Sequence, residues 1–161
     1  MNIGVFLLIE PFASVEKQLQ RAKEMGFDYA DITDTNAGGS MLGTAGFSPT
    51  VSLDGNPDAL GVNLDTGNSW LGGADPVEMA KAFKNKIHHI HWKDLGAEWE
   101  PKRGTLYRCG FSTIALGDGV IDIKGVCEVL KDADIESSTL EIIGSEDILK
   151  RSAQYLQECG L

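Results

Sequence analysis

The stretch "KIHHIHWKD", residues 86–94, holds all three histidines of the chain, His88, His89 and His91, and closes on Lys93 and Asp94. Imidazole is both a metal ligand and an acid or base near neutral pH, so its concentration on one apolar segment points to a site. Two carboxylates stand in comparable settings. Asp65 ends "LGVNLD" (60–65), and Glu141 lies within "STLEII" (138–143). Aspartate, histidine and glutamate together make an oxygen–nitrogen–oxygen donor set suited to a divalent cation, and each is also capable of acid–base work.

All three segments read as β-strands, in which alternate residues share a face. On 87–94 one face carries His89, His91 and Lys93, and the other His88, Ile90 and Trp92. Gly61, Asn63 and Asp65 share a face, as do Thr139 and Glu141, with Leu140 and Ile142 opposite. Asp65, His91 and Glu141 all fall near the C-terminal ends of their strands, where parallel α/β folds place their chemistry. Each group also has a plainer reading. "DTGN" (65–68) is consistent with a turn closed by an Asx bond, Glu141 with a lysine ion pair, and Lys93 and Asp94 with a solvated strand end. The glycines at 38–46 and "GDG" (117–119) fit turns better than phosphate cradles, since neither matches a GxGxxG or Walker pattern.

The elements that must position these groups alternate along the chain. "IGVFLLI" (3–9) is an apolar run suited to a strand buried on both faces. A helix over 15–25 follows, with Ser14 as N-cap and Gly26 as its stop, then a strand at 29–33. From Asp34 to Asp58 the sequence is rich in Gly, Ser, Thr and Asn and has no helical period. Order resumes with the strand at 60–65. A helix over 75–86 comes next, with Asp75 as cap and Pro76 at its first position, followed by the histidine strand. A long loop (95–121) leads to a helix capped by Asp122 (122–134), the strand at 138–143, and a closing helix (145–160) between Ser145 and Gly160. This alternation predicts one α/β domain over residues 1–161.

The chain has 161 residues and a formal net charge of −10. That balance opposes nucleic acid and anionic membrane as partners. No apolar run approaches the ~20 residues of a membrane span, and the apolar N-terminus lacks a basic leader. Three cysteines, Cys109, Cys127 and Cys159, form no CxxC pair. They suggest reduced core thiols in a cytoplasmic protein.

The run "GVNLDTGNSWLGGADPVEMAKAFKNKIHHIHWKDL", with "LGDGVIDIKGVCEVLKDA" and "LEI" after it, resembles the last third of the xylose isomerase-like TIM barrels, the sugar phosphate isomerase/epimerase superfamily. "EKQLQRAKEMGFDYADITD" resembles the first helix and second strand of that family. The resemblance implies a (β/α) barrel of which about five parallel strands with outer helices are present. The strands matched are the first, second, sixth, seventh and eighth. The middle of the barrel is missing, with the junction near residues 53–61, where a whole barrel has eight strands and about 250 residues.

The resemblance also implies a divalent metal ion (Mn²⁺, Mg²⁺, Co²⁺ or Zn²⁺) held by Asp65, His91 and Glu141, with Glu141 as catalytic base. Asn68 and Lys93 would contact substrate. The implied activity is isomerisation or epimerisation of a small sugar, sugar phosphate or hydroxy-keto acid by proton abstraction next to a carbonyl. The missing segment is the one that supplies a further ligand glutamate in the family. For a second acid–base group the chain offers Asp31 and Glu10, and for a phosphate contact Arg103 and Arg108. One alternative is a non-catalytic barrel remnant that binds metal or sugar, or self-associates as a homo-oligomer through exposed strand edges. Another is a phosphodiesterase like endonuclease IV, which three histidines and a charge of −10 argue against.

Overall fold

Four helices begin at the residues whose side chains can cap them. Ser14 accepts from Lys17 N, Asp75 from Val77 N, Asp122 from Gly125 N and Ser145 from Ile148 N. Each side-chain oxygen satisfies an N–H that the helix itself leaves unpaired. The first and last of these helices stop at Gly26 (φ 89°) and Gly160 (φ 88°), in the left-handed conformation that a side chain disfavours.

The computed structural model describes residues 1–6, 14–27, 29–31, 62–105, 112–135 and 137–161. Its strands are β1 (Asn2–Phe6), β2 (Tyr29–Asp31), β3 (Val62–Asp65), β4 (Ile87–Trp92) and β5 (Ser137–Leu140). The helices are α1 (Val15–Glu24), α2 (Thr66–Leu71), α3 (Pro76–Phe83), α4 (Ile123–Leu130) and α5 (Glu146–Glu158), with 3₁₀ turns at Lys84–Lys86 and Ala97–Lys102. Glu10, Arg108, Cys109, the Gly-rich stretch 34–58 and the expected junction at 53–61 lie outside the described residues, as do positions 7–9, 32–33 and 60–61 of the expected strands.

The sheet runs β2-β1-β5-β4-β3, and every neighbouring pair is parallel. The first strand therefore hydrogen-bonds the last, with Gly4 beside Thr139 and Val5 beside Leu140. First-to-last pairing of parallel strands, each followed by a helix, is the seam that closes a (β/α) barrel. The fold is an incomplete α/β barrel of TIM type.

The outward side of the sheet is the apolar one. Leu64, Ile90, Trp92, Leu140 and Ile142 are buried there in one cluster with Ala80, Val126, Leu130, Leu149 and Leu156. This fixes which way the other side points. His89, His91, Thr139 and Glu141 are left on the inner face, as period-two alternation requires.

Two plainer local readings meet the structure differently. The Asx bond at 65–68 is present, with Asp65 accepting from Asn68 N at 2.8 Å, and it opens helix α2. Lys93 and Asp94 are not a solvated strand end, because both are completely buried. Each has been taken up mainly by partners distant in sequence, which no local pattern reveals.

Candidate metal centre

The register of the sheet brings the chemistry together. Asp65 pairs with His91 across β3 and β4, and His91 with Thr139 across β4 and β5. Lys93 lies two residues beyond His91 and Glu141 two beyond Thr139, so the four groups meet at the C-terminal rim of the sheet. Glu141 N donates to Trp92 O at 3.1 Å, which carries the pairing one residue past β5.

His91 Nδ1 is 2.8 Å from Glu141 Oε2. Lys93 Nζ is 2.9 Å from the same oxygen and 3.1 Å from Asp65 Oδ2. Asn68 Nδ2 donates to Asp65 Oδ2 at 2.6 Å. One donor atom from each of Asp65, His91 and Glu141 lies within 4.8 Å of the other two. A shared cation at ~2.0–2.3 Å from each ligand needs donors no more than roughly 4.6 Å apart, so shifts of a few tenths of an ångström close the set. The side chains of Asp65, His91 and Glu141 keep 15%, 20% and 12% of their surface exposed, while that of Lys93 keeps none. The three candidate ligands are thus partly exposed and the ammonium is enclosed. Hard oxygens with one imidazole suit Mn²⁺, Mg²⁺, Co²⁺ or Zn²⁺, so the residues present fit the group that the sequence implied.

The electrostatics follow from these contacts. Burial pushes the Glu141 carboxyl up, but the His91 hydrogen bond and the Lys93 ammonium outweigh it, and the net direction is down. Glu141 is held ionised, as a base or a ligand must be.

The other histidines are occupied differently. His89 Nε2 is 3.0 Å from Thr139 Oγ1 and its Nδ1 is 3.3 Å from Ser137 Oγ, so hydroxyls bracket the ring. It meets His91 edge-on, with centroids 5.3 Å apart. His88 is exposed. The Arg103 guanidinium lies over the Trp70 ring at 5.0 Å and donates to Ala74 O. Asp31 ends β2. Burial pushes the Cys127 thiol up, which agrees with a core thiol rather than a nucleophile.

Asp94 is the residue whose role the sequence did not disclose. Its carboxylate accepts backbone N–H groups from Leu95, Gly117, Gly119 and Ile121 at 2.9–3.1 Å. Burial pushes its carboxyl up, and these four hydrogen bonds pull against that. Asp94 thereby fastens the "LGDGVI" segment (116–121) to the end of the histidine strand. A Cβ on Gly119 would overlap this carboxylate, which is why a glycine stands there. The only sequence signal was a carboxylate at a strand end with a Gly-rich turn further on, a pattern with many other meanings.

A family pattern described as the xylose isomerase-like TIM barrel matches residues 50–159. The chain belongs to the xylose isomerase-like TIM barrel family. Relatives of this chain within curated proteins are named for dehydration. An inosose dehydratase of Lacticaseibacillus casei is 27% identical over 125 residues, covering 74% of this chain and 41% of the relative. An inosose dehydratase of Geobacillus thermodenitrificans (strain NG80-2) is 31% identical over 121 residues, covering 66% of this chain and 40% of the relative. A 3-dehydroshikimate dehydratase of Bacillus anthracis is 28% identical over 123 residues, covering 70% and 43%. This xylose isomerase-like chain spans about two fifths of the length of these relatives. No solved structure matches it significantly. Among the described residues no helix is long and apolar enough to cross a membrane.

Proposed function

We propose that this chain binds a divalent metal ion through Asp65, His91 and Glu141 and removes a proton next to the carbonyl of a small sugar-like or hydroxy-keto substrate. The observation that carries this reading is the convergence of the three donors within 4.8 Å at the C-terminal rim of a parallel sheet. The metal, when bound, supplies charge stabilisation for an oxygen that becomes negative as the proton leaves.

The protein's own groups do the rest. Glu141, held ionised, takes the proton on its carboxylate. That proton then has two destinations. Returned to the neighbouring carbon, it gives isomerisation or epimerisation, as the family resemblance first suggested. Delivered to a hydroxyl leaving from the adjacent carbon, it releases water and regenerates the carboxylate, which is dehydration. The relatives' names favour the second outcome. Asn68 fixes Asp65, and Lys93 lies between the two carboxylates, so both act first through the ligands. Contact with a substrate hydroxyl is a further role for each.

The test uses the purified chain with Mn²⁺ in D₂O, offered inosose, 3-dehydroshikimate and simple ketoses. Loss of water by mass, or deuterium entering next to the carbonyl by NMR, is expected, and Glu141→Gln abolishes it. Metal binding without exchange on any substrate would sink the catalytic reading and favour a metal- or sugar-binding barrel remnant. Absence of metal binding would remove the site itself.

A further inference from the structure

Lys93 is an unusual object in this fold. Its side chain is completely buried. Burying an ammonium is costly unless it is paired and hydrogen-bonded. Among the described residues it pairs with Asp65 Oδ2 at 3.1 Å and Glu141 Oε2 at 2.9 Å.

The "DTG" of residues 65–67 is shaped around this lysine. The Thr66 hydroxyl receives Lys93 N at 2.9 Å and donates to Lys93 O at 2.7 Å, clamping the backbone from both sides. Gly67 leaves the notch through which the stem passes: a Cβ there would stand 2.8 Å from Lys93 Cβ and 3.0 Å from Lys93 Cδ. Fixing a flexible four-carbon stem sacrifices much rotamer freedom, so such a channel is expected only where the head group is held in one place.

We propose that the Lys93 ammonium is the built-in cation of the centre: it holds the Asp65 and Glu141 carboxylates together without metal, and an entering divalent ion competes with it for the same two oxygens. Lys93 then sets how tightly the ion binds, and Gly67 sets where Lys93 stands. This rests on the metal reading above and deepens it. Among the described residues, Asp65, Glu141 and the Lys93 ammonium leave one net negative charge, against two if the ammonium is removed. The geometry shows the ammonium bridging carboxylates from β3 and from the end of β5.

The experiment pairs Mn²⁺ titration by calorimetry with thermal melts in EDTA, on the wild-type chain, Lys93→Met, Asp65→Asn, the double variant and Gly67→Ala. Lys93→Met is expected to bind Mn²⁺ about tenfold or more tightly, because a positive charge beside the ion is gone. In EDTA it melts lower than wild type, and Mn²⁺ restores it. The double variant with Asp65→Asn loses less than the two single losses combined, since one removes the partner the other needs. Gly67→Ala, which keeps the lysine but displaces its stem, shifts both readouts in the same direction by less. If Lys93→Met does not fold in EDTA, rescue by Mn²⁺ still supports the proposal, and without rescue the Gly67→Ala titration decides.

Wild type that binds Mn²⁺ with Lys93→Met no tighter, or single losses in EDTA that simply add, overturns the proposal and leaves the metal site standing. No binding of Mn²⁺, Mg²⁺, Co²⁺ or Zn²⁺ by wild type or Lys93→Met overturns the metal reading and the competition with it.

Discussion

His91 Nδ1 stands 2.8 Å from Glu141 Oε2, joining residues fifty positions apart in the chain. A carboxylate only accepts, so Nδ1 carries the proton in this contact. Metal binding has to replace that proton or use the other ring nitrogen. Changing either partner therefore alters one candidate ligand and removes the contact that orients the other. His91→Ala and Glu141→Gln should each lower Mn²⁺ affinity by more than the ~10–100-fold typical of an outer-shell loss. Calorimetric titration checks this, and wild-type affinity in either variant would remove that residue from the site.

Asn68 is the outer support of Asp65. It gives the carboxylate two hydrogen bonds, one from its backbone and one from its amide. Asn68→Ala keeps the first and loses the second. We expect Mn²⁺ affinity to fall by about 10–100-fold with the fold intact. An unchanged affinity with an unchanged melt would mean that Asp65 needs no orienting partner.

Asp94 should matter to stability more than any ligand. Replacing it with Asn keeps the size but points an N–H₂ toward backbone donors and removes the charge they share. Hydrogen bonds to charged groups are worth about 1.5–3 kcal/mol each, so a loss of at least ~3 kcal/mol is expected. For a domain of this size that is a drop in Tm of roughly 6–12 °C. A melt within a degree or two of wild type would show that the 116–121 segment is held by other means.

Ser152 makes a smaller contribution on the helix side. Its hydroxyl donates to Ile148 O at 2.8 Å and receives Leu116 N at 3.1 Å, and it is fully buried. Ser152→Ala leaves the Leu116 N–H without this partner inside the protein, at a cost of about 1–3 kcal/mol. The melt should fall accordingly while Mn²⁺ affinity stays put. A loss of affinity instead would tie α5 to the metal centre.

The sequence by itself determined the local frame. Ser14, Asp75, Asp122 and Ser145 cap helices because each carries an oxygen within reach of an N–H two or three residues on, a relationship contained within one turn. Apolar alternation on 87–93 and 138–143 likewise fixed which face His91 and Glu141 take, since one face must be buried. Pattern thus carried the parallel strands and put Asp65, His91 and Glu141 near the C-terminal ends of theirs. Tertiary structure decided what Lys93, Gly67 and Asp94 do. Among the described residues, Lys93 finds partners on β3 and beyond β5, and Asp94 on the 117–121 backbone. A charged pair at a strand end looks the same in sequence whether it meets water or is buried. Only strand register and the packing of the following loop settle which, because burial of a charge depends on the groups that arrive around it.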